Sequence, residues 1–277
     1  MSSLFSGLNT AKSGLIEGQT AISVAAHNIA NANTEGYTRE TLSLLAVPAD
    51  SGGYRYRQSG ARVGNGVRDG GVTQSRDQFL DMRYRNANSA YSDYATQNAG
   101  YTAIENIFNE FTSTSSEENE VYGLSGQLST LLSDLQKFSS SSDTQPLPAA
   151  VQAAAQNICA TIRGDYSSLV QFRDEETGYL SDMITGGTSG KVNSGGINAI
   201  LDNISTLNTA IADYEVTGQT ANDLRDSRNQ LLDQLSGYMD INVTENPDGS
   251  VQVGLQHDGT MLIDSQNRVT RLAVSVD

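Results

Sequence analysis

Of 277 residues only Cys159 is a cysteine, and tryptophan is absent. A single thiol excludes an intrachain disulfide. With His27 and His257 the only histidines, no Cys/His metal site can be assembled either. Cys159 itself is expected to be a small buried hydrophobe, because no base or cation pattern flanks it to make a reactive thiol. No run of about 18 apolar residues occurs, so membrane insertion is not expected. The opening MSSLFSGLNTAKSG lacks the basic-then-apolar layout of a cleaved secretory signal, and export, if it occurs, takes another route. Basic charge is short as well. The 17 Lys+Arg face 32 Asp+Glu, a net charge of −15 that argues against nucleic acid and anionic membranes as partners.

Catalytic spacings are missing in the same way. There is no His-Glu-x-x-His, no Gly-x-Ser-x-Gly, no phosphate-cradling Gly-x-x-x-x-Gly-Lys-Ser/Thr and no strand-linked Gly-x-Gly-x-x-Gly. Both histidines read as surface or packing residues. The acidic clusters at 117–120 and 174–176 lack the alternating ligand loop of a calcium site. Neither enzymatic activity nor a cofactor is expected.

What is present is periodicity. Leu4, Leu8, Ala11, Leu15, Gly18, Ile22, Ala25 and Ile29 recur at alternating spacings of four and three, the seam of a coiled coil. Its helix either packs on its own domain or orders against partner helices. Asn and Gly then cluster in Ala30-Asn31-Ala32-Asn33-Thr34-Glu35-Gly36-Tyr37-Thr38-Arg39, a helix stop. Residues 41–76 read as loops and short strands. Within them Arg55, Arg57, Arg62, Arg68 and Arg76 form a basic loop, either a contact with an acidic neighbouring subunit or a solvated loop. Residues 1–85 hold nine basic and seven acidic side chains and residues 86–277 eight and twenty-five, so copies would attract head to tail.

Residues 77–240 read as a helical bundle. Its stripes run through Leu80, Tyr84, Tyr91, Tyr94, Tyr101 and Phe108, through Leu124 to Phe138, through Val151, Ala155, Ile158, Ile162, Leu169 and Phe172, and through Ile197 to Tyr214. A Gly-rich stretch at 186–196 breaks it. The last helix, Asn222 to Tyr238, carries Asp223, Arg225, Asp226 and Arg228 as decoration at its start and places Leu224, Leu231 and Leu235 on one side. From Ile241 the period becomes two, with a turn at Asn246-Pro247-Asp248-Gly249 and about four short strands. The fold class is therefore mainly α: a coiled-coil-forming N-terminal segment over 1–40, an elongated helical bundle and the start of a small, truncated β-domain over 241–277.

The segment 30–39, directly after a heptad helix, resembles the N-terminal signature of bacterial flagellar axial proteins, with Asn31, Asn33, Thr34, Gly36, Tyr37 and Arg39 as its turn. Within that group Val63-Gly64-Asn65-Gly66-Val67, Asp77-Gln78-Phe79-Leu80-Asp81-Met82-Arg83 and Asp223-Leu224-Arg225-Asp226-Ser227-Arg228-Asn229-Gln230-Leu231-Leu232 resemble the hook-associated protein 1 family, found at the hook–filament junction. The resemblance implies a structural adaptor that self-associates in a ring and touches hook and junction or filament subunits. It implies export by the flagellar type III apparatus to an extracellular position on the flagellum, and axial assembly through Leu4, Leu8, Leu15, Ile22 and Ile29. Arg55, Arg57 and Arg62 are the candidate subunit contact. The family's C-terminal heptad helix, which carries its chaperone-binding region, has no counterpart after residue 245, so a fragment or short member is expected. A rod or hook subunit shares the N-terminal signature, and a flagellum-borne adhesin or enzyme is the reading from another class.

Overall fold

The computed structural model describes residues 2–48, 64–108, 123–140, 147–187 and 195–275, with the side chains of 2–6 and 147 outside that description. The fold is mainly α. Its helices are α1 (Ser2–Ala30), α2 (Gln78–Phe108), α3 (Gly123–Ser140), α4 (Leu147–Thr185), α5 (Gly196–Glu215) and α6 (Asn222–Ser236). Its strands are β1 (Glu40–Ala46), β2 (Val67–Gln74), β3 (Ile241–Glu245), β4 (Val251–Leu255) and β5 (Met261–Ile263). The chain forms two compact units, one of residues 1–89 with 197–272 and one of 90–196 with 273–277.

The first unit has a dry core. Leu201, Ile204 and Ile211 of α5, Leu232 and Leu235 of α6, and Val253, Leu262 and Ile263 of the sheet are fully buried. The α5 stripe follows its predicted spacing through Ile197, Leu201, Ile204 and Ile211, but Leu207 is half-buried and Tyr214, expected to end it, is exposed; α6 buries Leu232 and leaves Leu231 half-covered. The sheet runs β3-β4-β5, antiparallel throughout. Its first hairpin closes through Asn246-Pro247-Asp248-Gly249, where Gly249 takes φ +81 and its N–H donates to the Asn246 carbonyl. The fourth stretch expected to be a strand contributes only a bridge between Ile263 and Val269. Asn267 turns left-handed before it (φ 58), and its side chain donates to the Ser205 carbonyl of α5.

In the same unit β1 and β2 pair antiparallel from Glu40↔Gln74 to Ala46↔Val67, with an irregularity between Leu42 and Leu44. Gly70 and Gly71 there oppose Ser43 alone. Gly71 takes φ +96, a bulge that bends the ribbon. α1 lies against this ribbon.

The second unit is thinner. α3 packs on α4, and Gln127 and Thr161 exchange hydrogen bonds of 2.7 and 3.0 Å between them. Ala154 and Ile158 are the buried residues at the front of α4, while Ile162 is half-exposed. Cys159 lies one residue, about 100°, round from Ile158 and is exposed. The expected burial of this thiol is therefore corrected: the buried face of α4 runs through Ala154 and Ile158 rather than Ala155 and Ile162. α4 stops at Gly186 (φ +81). A side chain at Gly196 would meet the Gly186 backbone nitrogen at 2.4 Å, so glycine is required where the chain doubles back.

Candidate assembly interface

α1 has two faces of unusual arrangement. Thr10, Ser13, Glu17, Thr20, Val24 and Asn28, spaced three or four apart, are half-buried. Leu8, Leu15, Ile22 and Ile29, roughly opposite at 100° per residue, are 64%, 66%, 71% and 77% exposed. The helix meets its own chain through small and polar side chains and presents its apolar seam outward. Of the two readings of this helix, packing of the seam on its own domain is absent among the described residues. Leu4 belongs to the same heptad series, and its side chain lies outside the described residues.

Two polar contacts join the inner face to the β1-β2 ribbon. Near the start of α1, Ser13 Oγ accepts the Val67 N–H at 3.2 Å and donates to the Thr10 carbonyl. At its end, the Asn28 carboxamide bridges Glu40 as a strand neighbour would: Nδ2 donates to the Glu40 carbonyl at 2.9 Å and Oδ1 accepts the Glu40 N–H at 2.8 Å. The Tyr37 hydroxyl donates to the same Oδ1 at 2.8 Å.

Between these anchors the segment 31–39 folds as a turn. The Thr34 N–H donates to the Asn31 carbonyl and the Tyr37 N–H to the Thr34 carbonyl, while Thr34 Oγ1 donates to Asn31 Oδ1. Gly36 takes φ +80, a region other residues enter at a cost. Tyr37 folds back edge-on to His27, ring centroids 5.4 Å apart. Burial first, and then the negative charges of Glu40, Asp223 and Asp226, raise the Tyr37 hydroxyl pKa and keep it a donor. Asn33 and Arg39 are exposed, although the Arg39 carbonyl accepts the Ser75 N–H.

The turn is fastened to α6. Asp226 Oδ2 accepts the Thr38 N–H at 2.7 Å, Asn222 Nδ2 donates to Glu40 Oε1 and to the Val72 carbonyl, and His27 Nε2 lies 3.3 Å from Asp223 Oδ1. Arg76 adds a hydrogen-bonded pair with Asp81 at 2.6 Å and stands 3.8 Å from both Asp226 and Asp233. Arg85 of α2, itself buried, pairs with Asp233 at 2.7 Å. The motifs at 30–39, 77–83 and 223–232, far apart in the chain, thus meet at one node.

Three expectations are corrected here. Asp226 and Arg228 do not decorate a surface but are buried. Arg228 is 2% exposed and donates to Asn208 Oδ1 and the Gly249 carbonyl, and burial, reinforced by Arg225, pushes its pKa down to about 10. Arg76 belongs to this internal network rather than to a basic patch facing a neighbour. The aromatic stripe of α2 is no packing face in the first unit: Leu80 and Tyr84 are exposed, and the helix docks through Asp81, Arg85 and Asn88. Asn88 Nδ2 donates to the Asp233 carbonyl and Ser236 Oγ. Arg55, Arg57 and Arg62 lie outside the described residues.

Asn28, Ser13 and Asn222 are contact residues of this region that the sequence pattern does not single out. Their strand partners sit 12 to 182 residues away, and only the polar spacing of the inner face hints at them. A cavity of about 270 Å³ beside the node is lined by Arg76, Arg85, Arg225 and Arg228. Arg225 is paired with both Glu215 and Glu245. Its hydrogen bond, outweighing burial, holds the Glu215 carboxyl below its ordinary value and raises the guanidinium pKa. The carboxylates that line the cavity, Asp81 and Glu245, are paired with Arg76 and Arg225. Among the described residues no three His, Cys, Asp or Glu side chains are grouped to hold a metal, and no helix is long and apolar enough to cross a membrane.

The comparisons match both the later, mainly helical part of the chain and the N-terminal helix with its turn. The flagellar hook-associated protein FlgK helical domain family matches residues 101–277, well over half of the chain. The chain belongs to the flagellar hook-associated protein 1 (FlgK) family. The flagella basal body rod protein family also matches residues 8–38, most of α1 and its turn. Flagellar hook-associated protein 1 of Bacillus subtilis is 30% identical over all of this chain and 54% of its own length. That of Salmonella typhimurium is 30% identical over 97% of the chain and 44% of its own length, and that of Escherichia coli 29% over 91% and 42%. The chain spans about half the length of these relatives.

Proposed function

We propose that the chain is a non-catalytic structural subunit of the bacterial flagellum, an adaptor at the hook–filament junction; the relatives it matches carry the name flagellar hook-associated protein 1. The observation that carries this reading is the outward apolar seam of α1. Four large aliphatic side chains in heptad register, exposed on a helix whose inner face is polar, suit coiled-coil packing with neighbouring subunits. Leu8, Leu15, Ile22 and Ile29, continued by Leu4, form the axial interface, and the turn from Asn31 to Arg39 joins it to the body. Subunits close a ring between hook and filament, after export through the flagellar type III apparatus, to which a chaperone delivers them. Burial of the seam on assembly offsets the ordering of α1.

In-frame deletion followed by electron microscopy tests the role, together with an assay for filament protein in the medium. Complete hooks without filaments, with unpolymerised filament protein shed outside, are expected. Missing hooks would instead support a rod or hook subunit, the reading favoured by the match at 8–38. Normal filaments would contradict both.

A further inference from the structure

Asparagine appears in this unit three times as the same device. Asn208 of α5 donates from Nδ2 to the Val251 carbonyl and accepts the Val251 N–H at Oδ1. Asn198 does so with Leu272, and Asn28 of α1 with Glu40. Such a bidentate carboxamide fixes more than distance. Its plane must align with the backbone of the extended residue it faces, so the helix carrying it loses rotation about its own axis. On α5 this adds little, because Ile204 and Ile211 are already locked in the core. α1 has no buried apolar residue among the described ones to do that work.

We propose that Ser13 and Asn28 are positioning residues that set the rotation of α1, so that its seam points away from the body and toward partner subunits. The two lie 15 positions apart, about 22 Å along the helix, and both fall on the face opposite the seam. Asn28 restrains roll but by itself leaves the helix free to tilt about it; the second contact, at Ser13, removes the tilt. At the first pin the ribbon approaches so closely that a side chain at Gly66 would meet Ser13 Oγ at 2.2 Å. At the second, the Tyr37 hydroxyl closes on Asn28 Oδ1 and ties the rotation to the turn. A roll of about 100°, one residue's worth, would carry Ile22 from outward to sideways and spoil the seam with no change in sequence along it. This inference rests on the assembly reading for its purpose, but its geometry is tested on the chain in solution, where assembly plays no part.

The experiment compares maleimide labelling at two faces of α1. In a Cys159→Ser background, which removes the exposed native thiol, one chain carries Ile22→Cys on the seam and another Val24→Cys on the docked face. With both pins intact the seam thiol reacts several-fold faster. Adding Ser13→Ala and Asn28→Ala is expected to bring the two rates to parity while the unfolding transition of the body stays in place. Asn28→Asp is the milder variant. It keeps the acceptor for Tyr37 and Glu40 but loses the donor to the Glu40 carbonyl, and it should narrow the difference part-way. An unchanged rate ratio in the doubly substituted chain would overturn the inference. So would loss of the body's transition in both Asn28 variants, because the residue would then hold the fold rather than aim the helix. Normal filaments in cells whose seam carries Leu15→Glu and Ile22→Glu, with the rate ratio as expected, would sink the assembly reading and leave the pins standing.

Discussion

Two parts of one unit are built on opposite plans. The body of α5, α6 and the three-stranded sheet follows the usual rule: Leu201, Ile204, Ile211, Leu232 and Leu235 face inward and are fully buried, and polar groups enter only with partners, as Asn208 and Arg228 do. α1, the β1-β2 ribbon and the start of α2 invert it. They attach through Ser13, Asn28, Asp81 and Arg85 and turn Leu15, Ile22, Leu80 and Tyr84 outward. On the proposed reading, this apolar face is held uncovered by directional hydrogen bonds and kept for partner subunits. Hydrogen bonds suit that task because each is directional yet contributes only about 1 kcal/mol net, enough to aim a helix without a core beneath it.

The largest effect that sharpens the contrast is on the body. Leu232→Ala should cost about 3 kcal/mol of unfolding free energy, within the range for a fully buried leucine, measured by urea titration of the chain. Asp226→Ala comes next. It strands the Thr38 N–H and removes one of the charges around Arg76, and a loss of about 1–3 kcal/mol is expected. That loss should be accompanied by faster hydrogen exchange at Thr38 and Glu40 than in the sheet. An equal rise in exchange everywhere would mean that node and body unfold as one.

Acid should act on the body as well. Glu215, lowered chiefly by its hydrogen bond from Arg225, and Asp248, lowered by hydrogen bonds from Ser250, bind fewer protons folded than unfolded. Their contribution is fully present above the unfolded carboxylate values of about 4 and is lost as pH falls through the lowered folded ones. The urea midpoint should therefore fall below about pH 4, and Glu215→Gln should flatten that part of the profile. A profile unaltered by Glu215→Gln would remove this carboxylate from the account. The smallest effect belongs to the seam: Ile22→Ser should change stability of the isolated chain by less than about 0.5 kcal/mol.

Much of this was legible in the sequence. The α5 stripe, the Asn246–Gly249 turn and the heptad seam follow from spacing alone, because apolar periodicity reports which face shuns water. It does not report what covers that face. Hence the stripe through Leu80 and Tyr84 reads as packing although it is exposed, and Asp226 and Arg228 read as surface charge although they are buried. The partners that make their burial tolerable, Thr38 for the first and Asn208 and Gly249 for the second, lie on other elements. Of the node, the turn at 30–39 and the start of α6 stand out as motifs, but Asn28 looks like any polar residue on a helix until the backbone of Glu40 is placed beside it.

The central claim is that the seam is spared by the fold and used in assembly. Its most direct test is complementation of the deletion strain with Leu15→Glu and Ile22→Glu together, scored by filament counts alongside the unfolding curve of the purified chain. Unchanged unfolding with hooks that carry no filaments is the predicted result. Normal filaments from the charged seam would contradict the account.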